Sequence, residues 1–262
     1  MRLQINRANA LSRKAMSKTI LITGANGNVS SAVIAALKGS KNHIRAMVRN
    51  PEKATALKAL GVEVVPGDFD KPSTLGKAFE GVHSAWVLTS NGPLAPVHSS
   101  NATWAARQAR VSHVVRMSAV GAAHNAPTLN SRLHALSDAE LAASGIPYTV
   151  LKPHFFMQNL MMSIPSVAKE GTMYWALGEG RMSIIDVRDI GEFAAKVLTS
   201  GGHEGKTYNL TGPQSLTMAQ VAEQLGAAIK KPVKYQPVSV DQALASMTQM
   251  GMDPFMLNVA IQ

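Results

Sequence analysis

The chain contains no cysteine, which excludes disulfides, thiolate nucleophiles and cysteine-bound metals as sources of stability or chemistry. Its eight histidines are scattered without an H-E-x-x-H or other close ligand spacing, so no metal site is expected. Nowhere does the sequence hold a run of about 18 apolar residues, so no membrane-spanning helix and no membrane partner are expected. Acids are scarce: 16 Asp and Glu stand against 26 Lys and Arg, a formal charge of +10. Such a balance invites nucleic acid. Four of those charges, however, are Arg2, Arg7, Arg13 and Lys14, in an opening stretch without an acid, and no recognition motif accompanies the others. No nucleic-acid partner is expected. Residues 1–15 read as a disordered N-terminal extension, either an upstream start or a basic targeting-type segment, and the folded domain as residues 16–262.

What is present describes an ordinary folded chain. Hydrophobic residues make up 46% of the 262, and the mean hydropathy is +0.02, values that fit a soluble protein with a sizeable core; a cytoplasmic location is expected. From Thr19 onward short β-branched runs alternate with Ala- and Leu-rich segments of helical period. Strands are expected at 19–23, 43–48, 62–65, 84–88, 113–117 and 147–151, with helices near 28–38, 52–60, 72–80, 96–110 and 131–144. Repeated strand–helix–strand units imply an α/β fold, a Rossmann-like doubly wound parallel sheet with right-handed crossovers. Beyond about residue 153 the alternation loosens into a helix at 155–162, short strand-like pieces at 171–175 and 207–210, and helices near 187–199 and 217–230. This part is expected to form a small C-terminal substrate-binding lobe, mainly from 153 onward.

The first strand runs into Gly24-Ala-Asn26-Gly27-Asn28-Val29-Ser30 and then a helix whose apolar stripe includes Val29, Val33 and Leu37. A glycine turn here lets the backbone approach a pyrophosphate, which exposed N–H groups at the helix start would meet. Such a turn can also be a mere tight corner. Its place, closing the first strand of a βαβ unit, favours a dinucleotide. Ser30 stands where a third glycine is usual. After the second strand comes Arg49 rather than an acid, and a guanidinium there can clamp a ribose 2′-phosphate. NADP(H) is therefore expected, with NAD(H) possible.

The run Tyr148-Thr-Val-Leu-Lys152 has the Y-x-x-x-K form of short-chain dehydrogenases. On a helix the two side chains would converge about 6 Å apart. This run is β-rich and ends at Pro153, and on a strand four residues span roughly 13 Å. It is read as a coincidence.

The segments ITGANGNVSSAV (22–33), AMVRNPEKA (46–54), GVEVVPGDFD (61–70), SGIPYTVLKPHFFMQN (144–159), IIDVRDIGEFAA (184–195) and GHEGKTYNLTGP (202–213) together resemble the NmrA-like, or atypical, branch of the short-chain dehydrogenase/reductases. Within that branch the chain is most similar to the type 2 NAD(P)H:quinone oxidoreductases and the triphenylmethane reductases. The resemblance implies that Gly24, Asn26, Gly27, Asn28 and Val29 cradle the pyrophosphate, while Arg49, Asn50 and Lys53 surround the 2′-phosphate. It places Asp68 and Phe69 at the adenine, Thr89, Ser90 and Asn91 at the ribose, and Ser118 beside the nicotinamide. Pro153, Phe155 and Phe156 would close over that ring, the two phenylalanines also shaping the substrate pocket. His134 falls where related reductases carry the helix lysine, and is the catalytic candidate, to orient the ribose or donate a proton.

The expected function is an NADPH-dependent reductase passing hydride to a quinone or similar flat, electron-poor acceptor without a Tyr-x-x-x-Lys pair. The competing reading is a non-catalytic NmrA-like regulator that senses NAD(P) and binds a partner protein. A homodimer is the default assembly.

Overall fold

The computed structural model describes residues 17–261; the extension expected at 1–15 lies outside them. In chain order the elements are β1 (Thr19–Ile22), α1 (Asn28–Leu37), β2 (His43–Val48), α2 (Thr55–Ala59), β3 (Glu63–Pro66), α3 (Leu75–Phe79), β4 (Ser84–Val87), α4 (Ala95–Gln108), β5 (His113–Met117), α5 (Leu129–Ala143), β6 (Tyr148–Pro153), α6 (Ile164–Glu170), β7 (Thr172–Trp175), β8 (Arg181–Met182), α7 (Val187–Thr199), β9 (Lys206–Leu210), β10 (Leu216–Thr217), α8 (Met218–Ile229), β11 (Lys234–Pro237), α9 (Val240–Gln249) and α10 (Pro254–Ile261). Short 3-10 turns precede α2, α3 and α6.

Seven strands form one sheet in the order β3-β2-β1-β4-β5-β6-β9, with every neighbouring pair parallel. Both faces are covered, as an all-parallel sheet requires. On one face Ile20, Ile22 and Trp86 pack beneath α1 and α7 through Val33, Leu37, Ile190 and Ala194. On the other, Leu21, Met47, Ala85 and Val114 meet α3, α4 and α5 through Phe79, Ala102, Ala106 and Leu141. The reversal of strand order between β1 and β4 opens the crevice in which doubly wound sheets bind ligands, at the C-terminal ends of the strands.

The region after 153 does not all belong to a lobe. β9 is the seventh strand of the main sheet, in register with β6 from Thr149↔Lys206 to Pro153↔Leu210, and α7 packs on α1. The contact is close: a Cβ on Gly191 would lie 2.6 Å from the Ala32 backbone. Helix α7 is capped by Asp186, whose side chain accepts from Arg188 N. Hydrogen bonds from the Arg188 guanidinium hold that carboxyl well below the usual carboxylate range against the opposing effect of burial. The remaining lobe is α6, β7, β8, β10, α8 and β11 around Met173, Ile184, Met218, Val221 and Ala222. It rises from the ends of β6 and β9, the same end of the sheet as the glycine loop. The helix expected at 155–162 is instead a 3-10 turn over Met157–Ser163, after which α6 begins with Pro165 in its first turn, where proline is tolerated.

Candidate functional site

The loop from β1 to α1 is built around Gly24. Its φ is +61°, and a Cβ there would meet the Leu88 side chain at 3.1 Å and the Leu88 carbonyl at 3.3 Å. No other residue fits without strain. Gly27 has ordinary extended geometry and caps α1, with no side chain bonding the first turn. The N–H groups at the helix start are thereby left for a ligand. Val29 is 5% exposed and sits in the core, so what it can offer the site is its backbone.

Ser30 is a built feature rather than a lost glycine. Fully buried, its hydroxyl donates to Thr23 O (2.8 Å) and accepts from the indole N–H of Trp86 (3.0 Å). A buried indole needs such an acceptor. Ser30→Ala is expected to lower unfolding stability by about 1–3 kcal/mol, the cost of leaving a buried donor unsatisfied. Urea denaturation of the two proteins checks this, and equal midpoints would contradict it.

A cavity of about 370 Å³ opens beside this loop, and Gly24, Asn26, Gly27, Arg49, Asp68, Phe69 and Ser90 all line it. These seven expected residues come from four separate strand ends. Arg49 is exposed and has no ion-pair partner among the described residues. Asn50 turns its side chain to Glu52 N, capping the 3-10 turn that carries the exposed Lys53. Neither Asn50 nor Lys53 lines the cavity, nor do Asn28, Val29, Thr89 or Asn91.

Several lining residues were not expected. Leu88 and Gly67 follow β4 and β3, where the pattern of strand ends could have marked them. His98 lies on α4, and no sequence signal points to it. Its Nε2 is 2.7 Å from Asp70, and its ring stacks near Phe69 with centroids 6.2 Å apart. Phe69 is fixed in turn by Asn101, whose amide donates to the Phe69 carbonyl at 2.8 Å.

The residues expected around the nicotinamide lie outside the glycine-loop cavity. Ser118, just past β5, is 2% exposed, and its hydroxyl donates to Asp138 at 2.7 Å. Asp138, on α5, also accepts from the buried Arg116 guanidinium at 2.5 Å and lies 3.4 Å from Lys152 Nζ. His134 sits one turn before Asp138. Its Nδ1 is buried without a hydrogen-bond partner among the described residues. Burial, with the nearby Arg116 and Lys152 charges, pushes its pKa down to about 4 against the opposing pull of Asp138. That shift favours the neutral imidazole at neutral pH, a weaker proton donor than the imidazolium.

Pro153 is buried at the end of β6. Phe155 and Phe156 follow at a bend past the end of β6 and pack in different places. Phe155 meets Trp175 edge-on in the lobe core (5.6 Å), whereas Phe156 packs against the main core. Neither lines the glycine-loop cavity. A second cavity, about 620 Å³ and largely apolar, lies in the lobe between Met157, Leu160 and Met161 on one side and Ile184, Val221 and Leu225 on the other. Tyr148 and Lys152 lie four apart on strand β6, which separates them by roughly 13 Å. Lys152 Nζ donates to Ala122 O at 3.1 Å.

Comparison with known proteins adds three relatives to this geometry. Residues 16–260 match the NmrA-like family. The sequence is 39% identical over 233 residues to the NAD(P)H azoreductase of Xenophilus azovorans, covering 89% of this chain and 82% of the relative. It is 33% identical over 237 residues to quinone oxidoreductase 2 of Escherichia coli (strain K12), covering 89% and 82%. The fold superposes on the triphenylmethane reductase of Citrobacter sp. complexed with NADP(H) with a TM-score of 0.84 and 29% identity, over 93% of this chain and 87% of that one.

Proposed function

The chain belongs to the NmrA-like family, and from that premise we propose that it is an NADPH-dependent reductase passing hydride to a quinone or a similar flat, electron-poor acceptor. The observation that carries the reading is the glycine-loop cavity, with Gly27, the N-cap that leaves the first turn of α1 without a side-chain bond, on one wall and Arg49, which has no ion-pair partner among the described residues, on another. Those are the complements of a pyrophosphate and a 2′-phosphate. The relatives, named as NAD(P)H azoreductase, quinone oxidoreductase and triphenylmethane reductase, act on molecules that share extended conjugation and a centre able to accept hydride.

NADPH supplies the hydride. The chain's part is to hold the dinucleotide along the strand ends and to shield the transfer from water. The phosphates are met by the Gly24–Gly27 turn and the start of α1, the ribose phosphate by Arg49, and the adenine side by Phe69 and Asp68. The acceptor's flat body suits the apolar, methionine-lined lobe cavity, whose volume is ordinary for a small-molecule site. A quinone that takes hydride becomes an aromatic hydroquinone anion, and water can protonate it. A side-chain acid is not required, which agrees with Tyr148 and Lys152 lying on a strand and with the neutral His134.

Tyr148→Phe tests the chemistry. Quinone turnover is expected to be unchanged, whereas removing a working general acid costs about 10²–10⁴-fold. A loss of that size with NADPH binding intact would return the proton-donor role to Tyr148. Tight NADPH binding with no turnover on quinones, azo dyes or triphenylmethane dyes would instead favour a nucleotide-sensing regulator.

A further inference from the structure

Four side chains that line the lobe cavity are also turned partly to solvent: Met161 is 61% exposed, Ile164 56%, and Met157 and Ile229 41% each. The 3-10 turn over Met157–Ser163 explains the arrangement of the first two, since its three-residue period sets Met161 and Ile164 on one side. Single apolar residues are normal on a surface. Here they gather around the opening of one apolar cavity, and a contiguous patch of that kind marks an interaction site.

The charged side chains bordering the patch are mostly cations. Lys231 lines the cavity itself, and Lys230 and Lys234 share the adjoining surface groove with it. Lys169, 82% exposed, follows Ala168 of the cavity wall. It belongs to the same end, because Lys234 N donates to Gly171 O (2.8 Å) and ties β11 to the end of α6. Lys230, Lys231 and Lys234 have no ion-pair partner among the described residues. Against these four lysines, residues 157–171 and 218–235 set only Glu170 and Glu223. Glu170 is engaged already, by the Tyr174 hydroxyl at 2.7 Å and by Lys169 at 3.6 Å.

An apolar centre bordered by unpaired lysines complements an anionic bilayer, whose headgroups meet the ammonium groups and whose acyl boundary receives the apolar side chains. A second copy of the chain would bring no acidic surface on this face to meet those lysines. The lack of a membrane-spanning helix among the described residues concerns crossing a bilayer and says nothing of lying against one.

The geometry points to a peripheral membrane site on this face, with Met161 and Ile164 set into the headgroup region of an anionic bilayer and Lys169, Lys230, Lys231 and Lys234 on its phosphates. The mouth of the lobe cavity then opens toward lipid. An acceptor with a long apolar tail would enter from the bilayer, a consequence that rests on the reductase reading, whereas the attachment does not.

Because the chain has no cysteine, Met161→Cys takes a single polarity-sensitive fluorophore such as nitrobenzoxadiazole. Ala36→Cys, exposed in the last turn of α1 and so at the opposite end of the sheet, is the reference site. Each labelled full chain is mixed with vesicles of phosphatidylcholine alone and with vesicles of an equal mixture of phosphatidylcholine and phosphatidylglycerol. The label at 161 is expected to shift to the blue on the mixed vesicles and far less on the neutral ones, while the label at 36 stays as in water. The combined Lys230→Ser, Lys231→Ser, Lys234→Ser protein, changed only at exposed side chains, is expected to melt as the wild type does and to partition about 100-fold more weakly. None of these readouts needs turnover, so their failure is separate from failure of the reductase reading. Mixed vesicles that bind the chain without moving the label at 161 would overturn the inference, placing attachment on another basic part such as residues 1–15. Absence of binding, or a triple variant that partitions like the wild type, would overturn it too. A label at 161 already blue without lipid, in a chain that Met161→Ser converts from dimer to monomer, would give the face to a second copy instead.

Discussion

Replacing Arg49 by serine is expected to raise the KM for NADPH about 10- to 100-fold while leaving that for NADH nearly unchanged, the range set by losing hydrogen bonds to a charged group. The expectation rests on placement. Arg49 follows the last residue of β2, lines the same cavity as the glycine loop, and has no carboxylate partner among the described residues to neutralise it. An NAD-selective site commonly places an acid near here to take the ribose 2′-hydroxyl, and this chain has Arg49-Asn50. Asn50 contributes indirectly, by capping the turn that presents Lys53, so Lys53→Ser should have a smaller effect of the same sign. Steady-state kinetics with both cofactors, at two ionic strengths, check the assignment: the NADPH advantage of the wild type should shrink with added salt, and that of Arg49→Ser should scarcely move. Equal losses with NADH and NADPH would show that Arg49 supports the fold of the loop instead of reading the phosphate.

The second large effect concerns the buried cluster at the end of β5. Asp138→Ala is expected to cost about 3–5 kcal/mol of stability, because Arg116, with only 3% of its side chain exposed, would keep its charge without its main acceptor. Ser118 and Lys152 would lose the same partner. Removing both ends of the pair, as in Arg116→Met with Asp138→Leu, should recover most of the loss, since the penalty lies in the uncompensated charge. Denaturant unfolding of the wild type, single and double variants measures both. A single variant within about 1 kcal/mol of wild type, the size expected of an exposed pair, would mean that the ion pair is solvated. Asp138 also raises the pKa of His134 against three opposing effects, so its loss drives that imidazole further toward the neutral form.

How much of this was written legibly in the sequence depends on range. Strand β2 at 43–48 and β5 at 113–117 match the residues expected, because each is a short β-branched run bounded by turn residues. The glycine loop and Arg49 were legible for the same reason: their meaning depends on position within one βαβ unit. Strand β9 reads as a strand at 207–210 but as part of the C-terminal lobe, whereas it pairs with β6 in the main sheet; a largely exposed KTYNL says nothing about which edge it will join. Ser30 looked like a departure because its reason, the Trp86 indole 56 residues away, is contact made only by folding. His98 reached the cavity in the same unannounced way. Phe155 and Phe156 are adjacent in sequence, yet the bend at Phe155 and contacts made only by folding put them against two different cores.

The central claim is that this fold holds NADPH for delivery of hydride to a flat conjugated acceptor. It is tested most directly by following the near-ultraviolet absorbance of NADPH with and without a panel of small quinones, and with NADH alongside. Rapid quinone-dependent oxidation that prefers NADPH is the predicted result. Absence of binding for either nucleotide would contradict the account at its base, in the glycine loop itself.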